Sequence, residues 1–91
     1  MTIWKYPLKI QSEQSIEAPI EFVPLSIQMQ DGTPTLWALV DEMGPRGIFP
    51  ILMLGTGWTG ERGLINGDLH LGTVQDGKFE WHYFLMGIKV K

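Results

Sequence analysis

The chain has 91 residues, a formal net charge of −3, eleven glycines, six prolines and no cysteine. Disulfide staples and cysteine-based zinc sites are therefore excluded, and a reducing, cytoplasmic setting is expected. The seven basic residues form no stripe able to neutralise a phosphate backbone, so nucleic acid is not an expected partner.

The length suits one β-domain over 1–91. Glycine and proline punctuate the chain every few residues, and no window holds a helical stripe of apolar positions. Residues 2–10 alternate, with Trp4, Tyr6, Leu8 and Ile10 on one side and Lys5 and Lys9 on the other. Pro7 makes this an edge strand, and the charged alternation is unlike a secretory leader. A short strand over 15–18 is expected to pair back on it. Residues 23–30 place Val23, Leu25, Ile27 and Met29 on one face. The dipeptide Asp31-Gly32 then predicts a tight hairpin turn with both central residues at positive φ. That register sets Ile27 opposite Leu36, Leu25 opposite Ala38 and Val23 opposite Val40. It leaves Trp37 and Leu39 on the outer face, beside Pro24, Ser26 and Gln28.

Residues 48–54 are apolar on both faces, as a central strand would be. Neither this run nor 36–40 is long enough to cross a bilayer as a helix, and no membrane is expected. A second turn at Asp76-Gly77 pairs Val74 with Phe79, Gly72 with Trp81 and His70 with Tyr83. Trp81 would then cover the bare backbone of Gly72. These consecutive hairpins predict an all-β fold, a small antiparallel barrel or sandwich of six to seven strands. So much apolar surface on both faces predicts a homo-oligomer, at least a dimer, with Trp37 and Leu39 at the interface.

The chemistry is sparser. Gly55-Thr56-Gly57-Trp58-Thr59-Gly60 has the spacing of a dinucleotide fingerprint, but 61–67 adds two more glycines and leaves no room for the helix that the mechanism needs. The loop could instead offer backbone N–H groups to an anion. Candidate ligand-binding residues are thus Thr56, Gly57, Trp58, Thr59, Arg62 and Asn66, with Arg46 as the other internal arginine. Trp58 reads either as a stacking platform for a planar ligand or as an anchor folded over the core. His70 and His82 fall on opposite faces in the expected register, so they share no metal, and no metal or other cofactor is expected. No serine, histidine and carboxylate align as a triad, and no carboxylate pair stands out. The residues favour a binding protein over an enzyme.

The segments Trp4-Lys5-Tyr6, Pro34-Thr35-Leu36-Trp37-Ala38-Leu39-Val40-Asp41, Gly55-Thr56-Gly57, Gly72-Thr73-Val74-Gln75 and Trp81-His82-Tyr83-Phe84 carry a resemblance. The chain resembles a family of small uncharacterised proteins of phages and prophage-bearing bacteria, a domain of unknown function. In that family Gly-Thr-Gly is commonly followed by histidine, a place taken here by Trp58. Small phage proteins of this kind include oligomeric sponges that sequester nucleotide-derived immune signals of the host. The resemblance therefore implies a non-enzymatic homo-oligomer that captures a small nucleotide-like anion in the host cytoplasm. A protein–protein interaction or structural module is the alternative, and a small hydrolase the third reading.

Overall fold

A computed structural model describes residues 1–58 and 69–87, together with the backbone at 89–90. The strands are β1 (Thr2–Pro7), β2 (Glu13–Pro19), β3 (Phe22–Gln30), β4 (Thr33–Val40), β5 (Arg46–Gly55), β6 (Leu69–Asp76), β7 (Phe79–Leu85) and the two-residue β8 (Lys89–Val90). They form two antiparallel sheets. The smaller has the order β1-β4-β3, and the larger β2-β5-β7-β6 with β8 also on β5. The architecture is sandwich-like and all-β, not a closed barrel. No helix among the described residues is long and apolar enough to cross a membrane.

Alternation sorts the side chains into an inner layer. Leu36 and Ile27 of the smaller sheet pack with Phe49, Ile51, Met53, Val74, Trp81, Tyr83 and Leu85 of the larger one. Phe22 bridges the layers, its ring 4.6 Å from Phe49 and 5.9 Å from Tyr6. At about 25 cal/mol per Å² of apolar surface removed from water, this layer is the main source of stability. Tyr83 is fully buried, and its hydroxyl donates to the Lys9 carbonyl at 3.0 Å, tying the larger sheet to the β1–β2 link.

β1 lies at an edge, as Pro7 requires, but it stops there. Leu8 turns into the core while Ile10 is 44% exposed, so the expected strand to residue 10 is three residues too long. β2 does not fold back on β1. It pairs with β5, Ile16 facing Phe49. The physical reason is that β5 is apolar on both faces and needs a partner along each edge, whereas the 8–12 link carries the chain between the layers. Gln14 holds that link through bonds to both the N–H and the carbonyl of Lys9.

The Asp31-Gly32 turn has the predicted positive φ at both residues, 50° and 79°. Ile27 does face Leu36, but a bulge between Pro24 and Ser26 shifts everything earlier by one residue. Pro24 opposes Ala38, Val23 opposes Leu39, and Phe22 opposes Val40. Because side chains alternate along a strand, that single extra residue turns Val23 and Leu25 outward. They are 49% and 50% exposed. Phe22, absent from the expected core, points in instead.

The second hairpin also differs. Asp76 pairs with Phe79, so the turn is Gly77-Lys78, with the positive φ (60°) at its first central residue. Glycine in that place is the mark of a II′ turn. The register moves by two: Val74 opposes Trp81, and Gly72 opposes Tyr83. Gly72 is filled from the other sheet rather than by Trp81. A Cβ placed there would lie 2.1 Å from Ile27 Cγ2.

Candidate functional site

The end of β5 is where the glycine-rich segment begins. Gly55 opposes Trp81, and the chain turns through Thr56 and Gly57 (φ 83°), closed by Trp58 N–H donating to the Gly55 carbonyl at 3.0 Å. This turn sends its two large side chains to different sides of the larger sheet. Trp58 folds over Gly55 so closely that a Cβ there would lie 2.7 Å from its ring. The indole meets Trp81 edge-on at 5.2 Å, and Trp81 stacks on Phe79 at 5.4 Å with 10° between planes. Trp81 is buried, its N–H donating to Asp76, while Trp58 and Phe79 remain 51% and 53% exposed. Three rings thus line one end of the sandwich, with exposed surface on the outer two.

Thr56 reaches the opposite, outer face. Its hydroxyl donates to Glu80 Oε1 at 3.1 Å and lies 2.7 Å from His82 Nε2. His82 Nδ1 lies 2.8 Å from the Thr73 hydroxyl, which is 3.4 Å from His70 Nε2. Glu80, Thr56, His82, Thr73 and His70 therefore form one continuous chain of polar contacts, with Phe84 against His70 at 5.1 Å. This corrects the expectation that the histidines diverge. A second bulge, between His70 and Gly72, takes up Leu71 and returns His70 to the face of His82. Their ring centres are 6.5 Å apart. Among the described residues no three histidine or acidic groups come together as a metal site.

Of the residues expected to bind a ligand, Thr56, Gly57 and Trp58 occupy this turn, and Thr59, Arg62 and Asn66 lie outside the described residues. Arg46 is not brought to the glycine turn within one chain. It begins β5, which ends at Gly55, so about 30 Å of extended strand separates the two ends. Its guanidinium lies over the Trp4 ring at 5.7 Å. Close by, burial pushes the Tyr6 phenol above its ordinary pKa, an effect that the Arg46 charge partly offsets. The Tyr6 hydroxyl is buried without a hydrogen-bond partner. Trp37 and Leu39 do face outward from the smaller sheet, both half-buried. Trp37 sits between Lys5 and Ser26, and Leu39 between Ile3 and Val23. A cleft of about 250 Å³ on the smaller sheet is lined by Lys5, Pro7, Gln30, Asp31, Thr33 and Thr35, none of them a residue of the glycine turn.

Phe79, Glu80 and Thr73 were not singled out by the sequence. The signal that would have found them is the choice of Gly77 rather than Asp76 as first turn residue, since that sets which side chains adjoin Thr56 and His82.

Residues 1–89 match a family described as a domain of unknown function, DUF7352. The chain belongs to that family. The match covers both sheets, so the glycine turn, the aromatic end and the outer-face chain all lie within the family domain. No curated protein and no solved structure gives a significant match.

Proposed function

We propose that this DUF7352 protein is a non-enzymatic, self-associating binding protein whose ligand is a planar, anionic, nucleotide-like molecule. The observation that carries the reading is the aromatic end of the sandwich. Trp58 and Phe79 flank the buried Trp81 and keep about half of their surface exposed. A base stacked on such a ring contributes about 1–3 kcal/mol without requiring a particular sequence of polar contacts. The glycine turn lets backbone approach the ligand closely. The resemblance to small phage proteins supports the finer reading, a cytoplasmic sponge for a nucleotide-derived host immune signal.

Self-association through the outer face of the smaller sheet is the second part of the proposal. Ile3, Val23 and Leu25 are about half exposed around Trp37 and Leu39. An apolar group of this kind is what a second copy of the chain would cover. In such an assembly, Arg46 of one copy could lie near the glycine turn of another, which one chain alone does not achieve.

The test is a thermal-shift screen against mono-, di- and cyclic nucleotides, followed by calorimetry on Trp58→Ala and Phe79→Ala. Loss of one stacking ring should weaken binding about ten-fold, the equivalent of about 1.4 kcal/mol. A folded protein that no nucleotide stabilises would remove the ligand half of the proposal. If it nevertheless self-associates, the same apolar face favours the protein–protein interaction module.

A further inference from the structure

We propose that the outer face of the larger sheet carries a one-directional hydrogen-bond chain, running from His70 to Glu80, that fixes His82 as its Nε2–H tautomer. The direction follows from counting hydrogens. An ionised carboxylate only accepts, so the single Thr56 hydroxyl proton goes to Glu80 Oε1, at 3.1 Å. Thr56 Oγ1 then has only lone pairs for His82 Nε2 at 2.7 Å, and that nitrogen must be the donor. In the neutral ring Nδ1 is consequently the acceptor, and it takes the Thr73 hydroxyl proton at 2.8 Å. Thr73 Oγ1 is left to accept from His70 Nε2–H, the longest link at 3.4 Å.

Every hydrogen bond thus runs from His70 toward Glu80, and both imidazole nitrogens of His82 are engaged. The chain thus decides which nitrogen of His82 carries the ring hydrogen. Glu80, Thr56 and Thr73 act as positioning residues.

Among the described residues, the groups facing the rings supply no competing anchor. On β7 they are Glu80 and Phe84, on β6 Thr73, and on β5 Leu52 and Leu54; Glu13 and Glu17 stand on β2, beyond β5. Among the described residues Glu80 is the carboxylate bonded into the chain. The chain lies on the other side of the sheet from the three rings and shares only Thr56 with the expected ligand-binding residues, so its test needs no ligand.

Two-bond ¹⁵N–¹H correlation spectra of the full chain, assigned with His70→Gln and His82→Gln, test it directly. At pH 8 His82 should be the Nε2–H tautomer in roughly ten-fold excess or more. Thr56→Val should abolish the His82 tautomer preference and Thr56→Ser should restore it, which separates the hydrogen-bond chain from a general loss of structure. An Nδ1–H tautomer at His82, or a Thr56→Val spectrum like that of the parent, would each overturn the proposal.

Discussion

Gly72 shows how much one hydrogen atom decides in this fold. Its φ of 152° and the approach of Ile27 leave no place for a Cβ, so Gly72→Ala must both strain the backbone and push β3 from β6. The expected cost is about 2–4 kcal/mol, read from the urea midpoint. Adding Ile27→Ala should recover part of it, because the clash is with that one side chain; strictly additive losses would contradict the contact. Tyr83 makes the complementary point for a polar group. Burial, reinforced by the negative charge of Asp76, raises its phenol from 10.0 to about 12. The fold therefore favours the neutral phenol. The associated stability is complete below pH 10 and is lost as pH rises through about 12. Tyr83→Phe should cost about 0.5–1.5 kcal/mol at pH 7, from the lost bond to Lys9. Above pH 10 the parent should lose stability more steeply than this variant, and parallel pH curves would refute the assignment.

At the level of elements, two bulges set the faces. The one at Leu25 exchanges Val23 for Phe22 in the core, and the one at Leu71 brings His70 beside His82. Both turns depend on left-handed backbone, but at different residues. Gly32 is the second positive-φ residue of its turn, and Gly77 is the first of its own. Ala at either position should destabilise its hairpin by about 1–2 kcal/mol. Asp76→Ala, by contrast, should leave the turn conformation intact and remove the acceptor of the Trp81 N–H bond at 3.3 Å. Hydrogen exchange along β6 and β7 distinguishes them: faster throughout the hairpin for Gly77→Ala, unchanged for Asp76→Ala.

For the whole molecule, the question is what covers the outer face of the smaller sheet. If a second copy does, Leu25→Ser should lower the self-association constant with little effect on stability. The side chain is half exposed, and such substitutions usually stay within about 0.5 kcal/mol. Trp37→Ala should act in the same direction and more strongly, as aromatic anchors dominate interfaces. Light scattering across a concentration series measures both. A monomer mass for the parent at every concentration would exclude the self-association.

Much of this fold can be read locally. Asp31-Gly32 specifies its turn because few residue pairs accept two positive φ angles, and β5 declares itself central because both faces are apolar. Pro7 marks an edge because it lacks an N–H for a second neighbour. Trp37 and Leu39 follow from simple alternation out of the Asp31-Gly32 turn, since their strand has no bulge. The partner of β2 was not legible, because an amphipathic strand pairs equally well with any free edge of compatible register. Nor were the bulges: an extra residue leaves the composition of a strand unchanged, and only the contacts of both sheets make it favourable. The hydrogen-bond chain from His70 to Glu80 depends on the Leu71 bulge and on where Gly77 turns the backbone. Sequence by itself therefore determined an all-β chain of hairpins with an apolar outer face. Tertiary structure decided which side chains share a face, because a shift of one residue in a strand reverses every side chain beyond it.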